Sequence, residues 1–368
     1  MTDINSYDFN IEDGHVKNVV HYKNIISPFC KEENIRTIKS VNKTVIDRNY
    51  GLVYDEEFVK EKIAVYGVAN KLPMYSGDQL SNYGFLRVPF RKIPRVMMND
   101  RQDLDNFLIS IDSRDPNLKL QFRGQNSEYF IDRSSEEKLA LYGDESILEP
   151  SLIPSAVRRS ISMDDIMPLW NNMLQQYLDS LIVKVPINLQ SSYVRDMINF
   201  KTSPNFALFS LAIAQHYGLP SIGLDSTINI ETALFFATHK FINDNGKCFY
   251  KQNLNELKSP PVIYILAPPE RFQINYNQFK PPYSEFLRPD QQMAHFLQTG
   301  WGFNKNKNAR QIWMALYLNP KGDFGNISKA NDLFPANDEF AKFIKPIIDK
   351  INNEKLSPFF KDFYTLTY

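Results

Sequence analysis

Three groups of polar residues sit where otherwise apolar segments end, and their types define the chemistry open to this chain. The first is Arg123, within Gln121-Phe122-Arg123-Gly124-Gln125. Its planar guanidinium can make two parallel, charge-assisted bonds to a phosphate or carboxylate, and Gly124 beside it permits close backbone approach. The second runs from Gln215-His216-Tyr217-Gly218 through Leu224-Asp225-Ser226-Thr227 to Asn229. Asn229 is a good N-cap, so the free N–H groups of the helix it opens, with hydroxyls beside them, form a natural anion cradle. The third is Arg288 with Gln291 and Gln292.

A plainer role is open to each. Arg123 can pair with Asp225 and tie two strands together. His216, next to Gly218, can be a helix-end histidine bonded to a carbonyl rather than a general acid or base. Asp225 can cap a turn, and Glu231, in the first turn after Asn229, can be a helix-dipole partner. Arg288 and Gln292 lie i, i+4 and can brace a helix face. The sequence has no phosphate-binding Gly-rich loop, paired-histidine zinc helix or nucleophile elbow. Its 2 cysteines, Cys30 and Cys248, are far apart with no further ligand beside them. Neither a disulfide framework nor a metal site is expected, and the compartment implied is reducing.

The elements that must position these groups show in the hydrophobic spacing. Leu104, Phe107, Leu108 and Ile111 mark a helix, and Lys119 to Arg123 a short strand entering a glycine turn. A longer helix carries Ile166, Leu169, Trp170, Met173, Leu174, Tyr177, Leu178 and Leu181, with Pro168 tolerable in its first turns. Another spans about Asn205 to Tyr217 and ends at Gly218 and Pro220, and a fourth begins near Asn229. Pro261 to Ala267 and Gln311 to Leu318 are candidate buried strands, and Phe340 to Ile351 a final amphipathic helix, kinked or started late at Pro346. Before residue 100 the periodicity is weak. Leu86 to Met98, with Arg87, Arg91, Lys92 and Arg95 broken up by Pro89 and Pro94, is expected to be an extended, solvated connector, with a local anion-binding patch as the other reading.

At 368 residues the chain is long enough for about two domains, and 43% hydrophobic residues fill sizeable cores. Lys+Arg 42 balance Asp+Glu 42, so the net charge is zero. That balance argues against general nucleic-acid or membrane binding, both of which use a cationic excess. The polar, acidic stretch Met1 to Gly14 is unlike a signal peptide, and no apolar run approaches the roughly 20 residues of a membrane span. A cytoplasmic location is expected.

Four motifs in order carry a resemblance. They are Phe122-Arg123-Gly124-Gln125; Leu148-Glu149-Pro150-Ser151-Leu152 with Arg158 and Arg159; Gln215-His216-Tyr217-Gly218-Leu219-Pro220 through Leu224-Asp225 to Ala233-Leu234-Phe235-Phe236-Ala237; and Arg288 with Gln292 and Phe296. Over roughly residues 100 to 320 the chain resembles the FRG domain family, which is widespread in bacteria and phages and is similar to the ADP-ribosyltransferase fold in how its motifs succeed one another. The resemblance implies that Arg123 grips the phosphate or ribose of NAD and that Ser226 and Thr227 support a nicotinamide pocket, with Arg288 and Gln292 as the last motif. The chain departs from the family in having Ser226 where a tryptophan often follows the aspartate, and Ala294 where a glycine often stands.

The resemblance also implies a glutamate to stabilise the cation that develops on the ribose. Gln292 stands in that place without a charge, so Glu285 or Glu231 would have to substitute.

The expected fold is therefore α+β, a small split sheet flanked by helices and ADP-ribosyltransferase-like. Residues 1–100 form an N-terminal region of unknown type, 101–320 the FRG domain and 321–368 a C-terminal helical extension. The cleft would be lined by Arg123, the Asp225 to Asn229 turn and Gln292, with Gly124, His216 and Arg288 also touching the ligand. The expected function is that of a toxin or defence effector acting on NAD or a related nucleotide, with a protein acceptor or regulator as partner. The alternative is a non-catalytic sensor of a nucleotide or a protein. A third reading, an RNA-directed toxin, is opposed by the neutral charge.

Overall fold

Val262–Leu266 and Ile312–Leu318 are buried at every position, which requires a sheet covered on both faces. The computed structural model describes residues 17–18, 38–41, 44–55, 64–66, 82–112, 119–159, 161, 163–244, 247–252, 254, 259–268, 273–281, 283–298, 305–325 and 327–354. In chain order, β1 (Lys17–Asn18), β2 (Ile38–Val41), β3 (Thr44–Asp47) and β4 (Leu52–Asp55) form a small antiparallel sheet. The main sheet comprises β5 (Phe85–Val88), β6 (Arg91–Met98), β7 (Gln121–Gln125), β8 (Gly223–Thr227), β11 (Val262–Leu266), β12 (Gln273–Asn275), β13 (Ala294–Gln298) and β14 (Ile312–Leu318). A separate hairpin pairs β9 (His239–Asp244) with β10 (Lys247–Gln252). The eight strands lie in the order β12-β13-β8-β7-β11-β14-β6-β5, with β14 and β6 parallel and the other pairs antiparallel. The molecule is mixed α and β.

Alternation along β11 feeds two cores, as period-2 geometry requires. Val262, Tyr264 and Leu266 pack with Leu86, Val88, Ile93, Tyr317 and the N-terminal Tyr50, Tyr54 and Tyr66. Ile263 and Ile265 pack under helices α1 (Arg101–Asp112), through Leu104, Phe107 and Ile111, and α6 (Ile230–Thr238), through Ala233, Leu234 and Ala237. Between α1 and α6 come α2 (Ser135–Tyr142), α3 (Met163–Ser180), α4 (Gln190–Lys201) and α5 (Pro204–His216). After them come α7 (Leu287–Gln291) and α8 (Glu339–Asn353). Helices α3, α4, α5 and α8 make a third core around Trp170, Phe209, Tyr217 and Phe340 that reaches Phe296 of β13.

The helices expected from apolar spacing form, with Pro168 in the opening turns of α3, Gly218 at φ 87 just past α5, and Asn229 capping α6. Helix α8 runs through Pro346. Leu86 to Met98, by contrast, is a hairpin of the main sheet and not a solvated connector. Leu86, Val88 and Ile93 are fully buried, Arg91 donates to the Arg310 carbonyl, and Pro94 lies opposite Phe85 of the edge strand. The prolines exclude a helix but leave a strand open. The sheet is not small; it runs on through a single β7–β8 residue pair, and its strands come from both sides of residue 100.

Two polar clusters tie the layers together. Arg133 reaches Glu149 through Nε (2.6 Å) and Asp47 through Nη2 (2.8 Å), all three side chains 0% to 1% exposed, so the small sheet is held to the main body. Arg95 lies between the rings of Tyr83 and Tyr317, 4.6 Å from each centroid, and its Nη2 is 3.3 Å from Glu128. Burial raises the Glu128 pKa to about 7 against the opposing pull of Arg95.

Two tests follow from this packing. A Cβ on Gly124 would lie 1.8 Å from the Ala233 carbonyl oxygen and 2.8 Å from the Ala237 nitrogen, both backbone atoms of α6. Gly124→Ala is expected to lower the unfolding free energy by about 3 kcal/mol or more, read from the denaturation midpoint, because neither backbone can yield cheaply. Glu128 binds its proton more tightly folded than unfolded, where its pKa is 4.5. Its contribution to stability is therefore full below that value and lost as the pH rises through about 7. Glu128→Gln should remove on the order of 2 kcal/mol of the fall in stability between pH 5 and 8, measured by denaturant titration.

Candidate functional site

Strands β7 and β8 meet through a single residue pair, Phe122 with Thr227, and then diverge. Divergence leaves the backbone groups of Asp225 without a ladder partner on the β7 side. Arg123 meets that need, donating from Nη1 to the Asp225 carbonyl at 2.5 Å. A cavity of about 220 Å3 opens in the split, its walls including Arg123 and Gly124 of β7, Asp225, Ser226 and Thr227 of β8, His216 at the end of α5, and Arg288 and Gln292 of α7 and its C-cap.

Eight residues expected at the site from sequence thus share one cavity. The segment from Asp225 is not a turn, however. It is a central strand whose side chains alternate, so Asp225 and Thr227 share a face and Ser226 takes the other. Both hydroxyls donate inside the protein, Ser226 to Gln121 Oε1 (2.6 Å) and Thr227 to the Gln292 carbonyl (2.7 Å). Thr227 also accepts from the Asn229 N–H at 2.9 Å, and Asn229 spends its side chain on the Glu231 N–H at 2.9 Å. Asn229 therefore builds the helix start and stands outside the cavity wall.

Both candidate glutamates lie outside the wall too. Glu231 turns to α1, where its carboxylate pairs with Arg101 at 2.6 Å. Glu285 is exposed, and its backbone carbonyl accepts from the Tyr177 hydroxyl at 3.3 Å. Among the described residues, the carboxylate in the wall is that of Asp225. The expectation that a glutamate of this chain enters the cleft is corrected accordingly. A helix places adjacent side chains about 100° apart, so Thr232 faces the cavity while Glu231 faces away.

Arg288 is 5% exposed and its guanidinium lies over the Tyr217 ring, 4.8 Å from the centroid. Its backbone N–H donates to Asp338 Oδ2 (3.2 Å), which also receives the Tyr217 hydroxyl (2.7 Å). Asp338 is the N-cap of α8, so the C-terminal helix helps to fix the arginine. His216, with 1% of its side chain exposed, is hydrogen-bonded at Nδ1, 3.1 Å from Gln292 Oε1, while its Nε2 approaches Asp225 Oδ1 to 3.3 Å. Burial lowers the His216 pKa, opposed by Asp225 and Gln292. Burial raises that of Asp225, opposed by His216, Arg123, Gln215 and Tyr276.

Six buried side-chain atoms of the wall have no hydrogen-bond partner: Arg123 Nε, Gln215 Oε1, His216 Nε2, Asp225 Oδ1, Thr232 Oγ1 and Arg288 Nε. The same lining holds an aromatic cluster that sequence reasoning missed. Tyr250 and Phe334 stack at 5.1 Å and 17°, and Phe236 stands edge-on to both, 6.1 Å away. Phe236 lay within a recognised motif, but Tyr250 and Phe334 come from remote segments whose spacing carries no signal.

Residues 119–245 match the model of the FRG domain. The match holds Arg123, Gly124, His216 and the Asp225 strand, whereas Tyr250, Arg288, Gln292 and Phe334 lie beyond it. Comparison with curated proteins and with solved structures finds no match. Among the described residues there is no cluster suited to a metal ion and no helix long and apolar enough to cross a membrane.

Arg123→Ala should orphan the Asp225 carbonyl and lower stability by about 1–3 kcal/mol in denaturant titration, and Lys should restore part of that loss.

Proposed function

We propose that the cavity binds one end of a nucleotide, NAD foremost, and that the domain acts as an ADP-ribosyltransferase-like enzyme or NAD glycohydrolase. The observation that carries this reading is the gathering of unpartnered buried polar atoms around one cavity, two of them on Arg123 and Arg288, with three aromatic rings in the same lining. Buried polar groups in proteins are nearly always hydrogen-bonded, so such a cluster calls for polar atoms from elsewhere. Arginine suits a phosphate or ribose, and the aromatic cluster suits a planar base. At about 220 Å3 the cavity is below the several hundred usual for larger ligands, so it takes one ring-bearing end of a dinucleotide and leaves the rest outside. The split between β7 and β8 supports the expected ADP-ribosyltransferase-like arrangement. A toxin or defence role in the cytoplasm follows from the same reading, since destroying NAD or modifying a protein acceptor would disable a cell.

The position of Glu231 and Glu285 outside the wall favours a second reading, a non-catalytic nucleotide sensor. Thermal denaturation of the full chain with NAD, ATP and nicotinamide, followed by an assay of nicotinamide release, separates the two. NAD at 100 times its Kd should stabilise the protein by about 2.7 kcal/mol. Stabilisation with nicotinamide release supports the enzyme, stabilisation without it the sensor, and no response to any of the three sinks both.

A further inference from the structure

The contacts of His216 determine where its protons lie. The Gln292 side-chain nitrogen donates to the Leu333 carbonyl at 3.1 Å, and a carbonyl only accepts, so the amide cannot be reversed. Gln292 Oε1 therefore faces His216 Nδ1 at 3.1 Å, and because Oε1 only accepts, Nδ1 carries a hydrogen in either charge state of the ring. The other nitrogen, Nε2, lies 3.3 Å from Asp225 Oδ1, an approach just short of hydrogen-bond geometry, and neither atom has a partner elsewhere. With no proton between them, two lone pairs would face each other in a place where His216 is 1% exposed. With two protons the pair would gain a net positive charge beside Arg123 and Arg288. One proton satisfies both atoms.

We propose that Asp225 shares a single proton with His216 and supplies the negative charge of this cavity, the part expected of Glu231 or Glu285. The groups facing the pair are Arg123 from β7, Arg288 from α7, Gln215 and Gln292 at the helix ends, and the Tyr276 hydroxyl. Burial pushes Asp225 up and His216 down, which shifts the pair towards imidazole and carboxylic acid relative to water. A cation arriving at Asp225 draws the proton onto Nε2 and exposes a carboxylate.

The catalytic part rests on the NAD reading above. The bond between ribose C1′ and the nicotinamide nitrogen breaks with its electron pair going to nicotinamide, which leaves neutral. The positive charge left on the ribose faces the Asp225 carboxylate. A hydroxyl of water or of an acceptor forms the new bond to C1′ and gives its proton to Asp225, whose side chain is 28% exposed and passes it to solvent. Asp225 is the catalytic residue of this step and His216 its positioning residue.

Long-range 1H–15N spectra of the histidine-labelled full chain between pH 5 and 8 test the shared proton, with His216→Gln giving the assignment. The expected result is a protonated Nδ1 throughout and an Nε2 signal that moves in Asp225→Ala. A neutral ring protonated at Nε2 with Nδ1 bare, visible in the wild type without any variant, overturns the proposal, as does an Nε2 signal indifferent to Asp225. Nicotinamide release tests the charge. Asp225→Asn should lower kcat by on the order of 100-fold to 1,000-fold with little change in KM, while Glu231→Gln and Glu285→Gln stay close to wild type. A loss confined to a glutamate variant overturns the assignment. A wild type that releases no nicotinamide refutes the NAD reading instead, and the spectra still decide the proton.

Discussion

Phe122 and Thr227 form the one backbone ladder pair between β7 and β8, and the cavity follows from how little that pair constrains the strands beyond it. A ladder that stops leaves N–H and C=O groups that must find partners elsewhere. Side chains do this work: Arg123 takes the Asp225 carbonyl, and the Thr227 hydroxyl receives the Asn229 N–H and donates to the Gln292 carbonyl. On the other side of β7, α6 sits so close to Gly124 that no side chain fits there. The splay and the close helix contact together place the start of α6, the end of α5 and the C-cap of α7 around one small space.

That space is completed from outside the segment that matches the FRG domain. Asp338 fixes Tyr217 and Arg288, Leu333 fixes the Gln292 amide, and Phe334 stacks on Tyr250. The residues after 320 are therefore part of how the site is built. They set the orientation of Gln292, which sets the tautomer of His216, which in turn governs the charge of Asp225. The first two links are hydrogen bonds between groups that can only donate or only accept at that point, and the last is the 3.3 Å approach of His216 Nε2 to Asp225 Oδ1.

Much of this was legible in the sequence where side chains serve a core. Helices α1, α3, α5, α6 and α8 and strands β7, β11 and β14 follow from apolar spacing because their packing faces are continuous. Strand β8 was read as a turn because Asp225, Ser226 and Thr227 are polar on both faces, a pattern that arises when a strand lines a cavity. The β5–β6 hairpin was hidden by arginines among its residues and by prolines that exclude a helix without excluding a strand: Pro89 lies in the turn, and Pro94 stands in β6 just before its ladder to β14 begins. The cavity residues were found by type and motif. The facing of Glu231 could not be, because one step along a helix turns a side chain away from the site.

Two buried polar clusters in this molecule differ in a way that bears on function. In the triad of Asp47, Arg133 and Glu149, Arg133 meets both carboxylates and Asp47 also receives the Asn49 N–H, which leaves Arg133 Nη1 as the triad's unpartnered atom. Such a network can hold a fold together because removing either sign strands the other in a medium of low dielectric. In the cavity, even with one proton shared between His216 Nε2 and Asp225 Oδ1, four atoms on four residues have no partner, among them donors on two arginines. A cluster kept for stability alone would be more stable if it were closed in this way or replaced by apolar side chains. Left open, with its one carboxylate dependent on a histidine proton, it is arranged for polar atoms that arrive from outside the chain.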